Sequence, residues 1–191
     1  MTEVQASRRR DARRNRAALV AAAEVEFSVA GPDVPLDAVV RRAGVGRGTL
    51  YRHFAGRVDL AVAIFEQHIA THETFAEEHA GEPDLVYRLL DRMSDVQVRT
   101  RGVMMVLARE PDGEARIEHL VARIRTLFET TLADAREAGL VSADVTADDL
   151  LLVLAMVEGA LVGVPLDQAP AVAHRVISLV APGLHTGPTT T

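Results

Sequence analysis

Proline and glycine fall between blocks whose apolar residues recur at helical spacing. That punctuation constrains the fold more than any other feature of the chain. Breaks stand at Pro32, Pro35, Gly44, Gly56, Gly81-Glu82-Pro83, Pro111-Asp112-Gly113, Gly139, Pro165, Pro170 and Pro182. No window shows sustained alternation rich in β-branched residues, so no sheet is expected. The reading is all-α, with about nine helices.

The block at 12–30 sets Leu19, Ala22, Ala23, Phe27 and Ala30 on one stripe, an amphipathic helix that Gly31-Pro32 ends. The next, 35–43, opens on Pro35 with Asp37 in its first turn and buries Leu36, Val39, Val40 and Ala43. Gly44 then supplies the positive φ that a sharp stop needs. A short helix lies within 45–54, followed by 58–79 with Leu60, Ile64 and Phe65 inward. Beyond Gly81 the expected helices are 84–100, a short one at 103–109, 114–138, 146–164 and 171–180. Residues 1–11 and 185–191 are polar and read as a disordered basic arm and a disordered tail.

The chain has no cysteine, which excludes a disulfide framework, a thiolate zinc site and a cysteine nucleophile. A reducing, cytoplasmic setting fits, and the basic N-terminus lacks the apolar run of a secretory signal. The most apolar stretch, 150–164, is shorter than the roughly 20 residues a membrane span needs, and Glu158 interrupts it. It reads as a buried helix.

The net charge of −6 conceals an asymmetry. Residues 1–60 hold 11 Arg against 7 acidic residues, whereas 61–191 hold 10 against 20. A basic head on an acidic body implies an anionic partner for the head alone. All basic residues are Arg, so position rather than identity carries the information. The run "RRRDARRNR" holds six Arg and one acid, and reads either as a solvated helix start or as a phosphate-binding arm.

Two short helices joined by a tight glycine turn form a helix-turn-helix pattern, whose second helix would enter a DNA major groove. "VGRGTLYRHF" is a poor helix judged alone, because Gly46 and Gly48 stand at its start. A side-chain-free start lets the backbone and its neighbours approach DNA closely.

The stretch "PLDAVVRRAGVGRGTLYRHFAGRVDL" resembles the DNA-binding region of the TetR (tetracycline-repressor-like) family of transcriptional regulators. The resemblance implies a helix-turn-helix domain over 12–72 and an effector-binding and dimerisation domain over 73–184. It implies that Arg47 and Gly48 read base edges, that Thr49, Tyr51 and His53 contact phosphate, and that Arg57 touches the backbone. Arg41 and Arg52 flank this surface. Two positions depart from the family pattern. Val34-Pro35 replaces the Thr or Ser that often opens the second helix, and Gly46 replaces a Ser that often caps the third.

The resemblance also implies partners: a palindromic double-stranded DNA operator, a second copy of the chain, and a small-molecule effector of unknown identity. In the expected helix at 146–164, Ala155, Gly159 and Gly163 recur every four residues and are assigned to close packing in a dimer or within the subunit. Met93, Met104, Met105, Leu127, Phe128, Met156 and Glu158 are the candidate pocket residues; methionine suits irregular cavities and is also ordinary core filler. Glu158, a carboxylate amid apolar neighbours, needs a partner. His68 and His72 stand four apart, with His79 further along, but no third metal ligand is evident. No metal and no cofactor are expected. No phosphate loop, G-x-S-x-G or H-E-x-x-H is present, so an enzyme is not expected. The expected function is an effector-released repressor; the alternative is an all-helical small-molecule-binding protein without operator binding.

Overall fold

The computed structural model describes residues 3–111 and 113–185. They form eight helices and no strand: α1 (Glu3–Ala30), α2 (Leu36–Ala43), α3 (Arg47–His53), α4 (Arg57–Glu78), α5 (Leu85–Ala108), α6 (Gly113–Glu137), α7 (Ala147–Ala160) and α8 (Ala169–Leu184). Contacts divide the chain into two compact units. One takes in the chain up to Glu66 together with Gly102–Ile117; the other takes in Gln67–Arg101 and the chain from Glu118 on.

The first unit is built around Leu19, Phe27, Leu50, Leu60 and Ile64, all fully buried. The stripe on α1 faces this core, as its spacing predicts. The helix starts far earlier than expected, however: residues 3–11, read as a disordered arm, are helical. No proline or glycine precedes Gly31, and Glu, Gln, Ala and Arg are good helix formers, so α1 simply continues outward. The expected tail lies, after His185, outside the described residues.

The helix expected at 103–109 is the end of α5, which runs unbroken through Gly102. A Cβ at Gly102 would stand 2.0 Å from the Phe27 carbonyl oxygen, so this glycine lets α5 cross against the α1 backbone. It marks a crossing and not a break. Residues 102–117 therefore belong with the head's unit instead of the body's.

The second unit packs Leu89, Leu90, Phe128, Leu132, Leu150 and Val157 at its centre. Thr146 opens α7 with a capping box: its hydroxyl accepts from the Asp149 N–H at 3.3 Å, and the Asp149 carboxylate accepts from the Thr146 N–H at 2.8 Å. The helix stops at Ala160, short of the expected 164, because Gly163 takes φ 74° in the turn that follows. In the same unit the Arg123 guanidinium grips the Glu73 carboxylate at 2.8 and 2.6 Å, tying α6 to α4.

Candidate nucleic-acid interface

The turn between α2 and α3 is a Schellman stop. Gly44 sits at φ 66°, its N–H donates to the Arg41 carbonyl, and the Val45 N–H reaches back to the Val40 carbonyl at 3.3 Å. Val40 and Val45 both pack on the head's core. This closes α2 in three residues and sets the direction in which α3 leaves. Leu50 and Phe54, both buried, then pin α3 to the core by one face. The rest of α3, His53 excepted, is left outward.

Those outward residues are the predicted reading surface. Arg47, Gly48, Tyr51 and Arg52 are exposed and Thr49 is partly so; Tyr51 shows 59% of its surface. Arg41 is likewise exposed near the end of α2. Neither glycine at the start of α3 is required by the fold. Gly46 has an ordinary extended backbone (φ −83°), and a Cβ at Gly46 or Gly48 would meet nothing within 4 Å. Among the described residues no side-chain cap bond closes the start of α3, where Gly46 has no hydroxyl to offer.

Three predicted residues carry internal contacts that their sequence did not disclose. The Arg47 guanidinium forms a two-pronged pair with the Asp37 carboxylate of α2. That hydrogen bond is the main cause holding the Asp37 carboxyl below its ordinary range. Arg57 donates to the Pro32 carbonyl and is half-buried, so its first role is to tie the start of α4 to the α1–α2 connection. The His53 ring is half-buried, and its Nε2 is enclosed without a partner.

On the basic helix, Arg16 lies over the Phe54 ring at 5.3 Å and pairs with Glu66 at 3.6 Å, so it belongs to the head's own framework. Arg8, Arg9, Arg10 and Arg13 are exposed along the extension of α1.

The candidate pocket residues do not all come together: Met93, Leu127 and Phe128 share the core of the second unit, but the others do not join them. Met104 packs in the first unit and Met105, 47% exposed, lies in the same unit, so neither belongs to the body. Met93 and Phe128 are filled core, and Met156 is exposed on α7. The spacing of apolar residues marks which face of a helix is covered, but not whether the covering leaves a void. A cavity of about 570 Å³ does open in the second unit, and Leu127 is the one predicted residue that lines it. Ala76, Glu77, Leu85, Thr126 and Thr130 complete much of its wall beside the Glu73–Arg123 pair.

Glu158 is largely enclosed; its Oε2 has no partner, and burial pushes its carboxyl upward. Gln97 shares that neighbourhood of α7, donating to the Leu154 carbonyl at 2.9 Å while its Oε1 stays unpaired. Gln97 is one residue that apolar patterning could not find. His72 is buried with neither ring nitrogen paired, and burial, with Arg92 next, lowers it to about 4. Among the described residues no three potential metal ligands cluster.

Of the small-residue stripe, Ala155 and Gly159 are exposed on α7, but Gly163 lies past its end and does not continue the row. No described helix is long and apolar enough to cross a membrane.

Residues 19–64 match the family model for bacterial regulatory proteins of the TetR family, and 82–186 match the C-terminal domain of SbtR-like transcriptional regulators. Among solved structures, a TetR transcription regulatory protein from Mycobacterium vanbaalenii is 28% identical, covering 93% of this chain and 99% of its own, with a TM-score of 0.63. A TetR transcriptional regulator from Streptomyces coelicolor is 27% identical over 92% and 99% of the two chains, with a TM-score of 0.62. An ArpA-like gamma-butyrolactone receptor is 25% identical over 92% of this chain and 90% of its own, with a TM-score of 0.59. No curated protein matches. Two family models that together span most of the chain make it a member of the TetR family of transcriptional regulators.

Proposed function

We propose that the protein is a homodimeric repressor that binds a palindromic operator and is released from it by a small-molecule effector. The observation that carries this reading is the start of α3. Gly46 and Gly48 serve neither packing nor backbone geometry, and they stand among exposed Arg47 and Tyr51 and partly exposed Thr49. Glycines that the fold does not need are explained by a surface that must come close to something else. A recognition helix presents its N-terminal residues to base edges in the major groove, so Arg47 and Gly48 face bases, and Thr49, Tyr51 and His53 face phosphates.

The effector site is the cavity beside the Glu73–Arg123 pair. Its wall mixes apolar side chains with threonine hydroxyls and the Glu77 and Asp134 carboxylates, which suits a small organic molecule that is partly apolar and carries a few polar groups. The relative described as a gamma-butyrolactone receptor supports that class. α4 supplies Glu73, Ala76 and Glu77 to the cavity and is one helix with Arg57 at its other end. This helix is the proposed route from cavity to head, and release requires differential binding of only about 1–3 kcal/mol between the two states.

The dimer face is the exposed side of α7, with Leu152, Ala155, Met156 and Gly159, together with Leu179 of α8. Large apolar side chains left in water along neighbouring helices support burial by a second copy.

The direct test is retardation of a duplex from the protein's own promoter region at low salt. Binding by the intact chain that is lost in Arg47→Ala supports the proposal; absence of any retarded complex overturns it. Sedimentation at micromolar concentration reads the dimer separately, and a monomer there would remove that part.

A further inference from the structure

Inside the fold the Asp37–Arg47 pair does little beyond the favourable charge that Asp37 gives the start of α2. Both side chains are exposed, at 48% and 70%, and an exposed ion pair adds little to stability. Asp37 is also the one carboxylate in the first turn of α2, on the side of the head where negative charge opposes DNA phosphates. The start of α2 accounts for a carboxylate there, and its two-pronged contact adds a hold on the arginine. Nε of Arg47 donates to Oδ1 and Nη2 donates to Oδ2, so the carboxylate occupies the side-on edge of the guanidinium.

A guanidinium has five N–H donors in a rigid planar fork. Side-on binding takes two of them and leaves the end-on edge, formed by Nη1 and the second Nη2 hydrogen. That edge matches two acceptors side by side, which in the major groove means O6 and N7 of guanine. Adenine offers N7 beside an amino donor and would set donor against donor. An arginine without such a brace is a long flexible chain that can swing to the nearest phosphate, where it gains affinity but reads nothing.

We infer that Asp37 is a specificity-determining residue, bracing Arg47 so that its free edge reads one guanine in each operator half-site. This rests on the DNA-binding reading given above. It makes Asp37 a positioning residue, acting through Arg47 and needing no contact with DNA itself.

The test is selection from a pool of randomised duplexes with the full-length protein, Asp37→Ala, Asp37→Asn and Arg47→Ala, each first checked for unchanged helix content. The intact chain enriches a motif with guanine at one position per half-site, and Arg47→Ala loses that guanine. Both Asp37 variants keep the remainder of the motif while preference for the guanine falls about tenfold. Their binding to unselected duplex strengthens, with a salt dependence steeper by about one phosphate contact. The inference is overturned if the Asp37 variants select the same motif with undiminished guanine. It is also overturned if they change affinity equally at every position, since Asp37 would then act only as a repelling charge. If the intact chain enriches no motif, the DNA-binding reading fails; if it does enrich one, any of the other negative results removes this inference alone.

Discussion

Gly48 in α3 and Gly102 in α5 are both glycines inside helices, where glycine is unfavourable by up to about 1 kcal/mol relative to alanine. Their surroundings are opposite. A Cβ at Gly48 meets nothing within 4 Å, whereas one at Gly102 meets the Phe27 carbonyl oxygen at 2.0 Å and its carbon at 2.6 Å. One glycine answers to the interior and the other to something outside the chain. The same residue type in the same secondary structure can thus mark a packing constraint or a binding surface. Only the empty or occupied space beside it tells them apart.

The comparison breaks first at Gly102. Because the obstructing atoms are backbone, Gly102→Ala forces α1 and α5 apart, and a loss of about 3 kcal/mol or more is expected, near the top of the overpacking range. Urea denaturation measures it, and a variant as stable as the parent would show that the crossing is not tight. At the other pole, Gly48→Ala places a methyl in open space within a helix. It should raise stability by about 0.5–1 kcal/mol while weakening retardation of the promoter duplex. Gain of stability together with full DNA binding would break the contrast.

The contrast extends to ionisable groups. Arg47 and Asp37 stand in water, whereas His72 is buried in the second unit and depressed to about 4, with Arg92, His68 and Arg99 disfavouring its charge further. Between that value and the ordinary 6.5 the unfolded chain holds a proton that the folded chain lacks. Stability from this group is therefore complete above 6.5 and falls as pH drops towards 4. Glu158, raised by burial, works in the opposite sense: its contribution is lost as pH rises above the ordinary carboxylate value. Comparing the denaturation midpoint of the intact chain with that of His72→Leu across this window isolates the histidine. The parent should lose ground as pH falls, and a constant difference would place His72 in contact with water.

The smallest effect tests the extension of α1. Replacing Arg8, Arg9 and Arg10 by serine should leave stability within about 0.5 kcal/mol, since the three are exposed. If the extended helix meets DNA, the salt dependence of binding becomes shallower; an unchanged slope removes those arginines from the interface.

Much of the head was legible because its signals are local. Pro35 and Gly44 bracket α2, Leu50 and Phe54 share one face of α3, and the spacing between them is set within one short stretch. The Thr146 start of α7 was readable for the same reason, as its capping box spans only the four residues from Thr146 to Asp149. The expectations that failed depended on distant partners. The helices expected at 84–100 and 103–109 are one helix, whose Gly102 has its reason in Phe27, far away in sequence. Met104 and Met105 followed the pattern of a pocket, yet they belong to the first unit. Periodicity states that a face is covered; it does not name the covering element.

By itself the sequence determined an all-helical chain, the helix-turn-helix with its outward arginine and glycines, and the basic head on an acidic body. Propensity, capping and charge act over a few residues and survive without knowledge of the rest. Tertiary structure alone decided that α5 crosses α1 unbroken, that the cavity opens beside Glu73 and Arg123, and that Asp37 braces Arg47. Each of these depends on the distance between side chains separated along the chain, and only the folded backbone sets that distance.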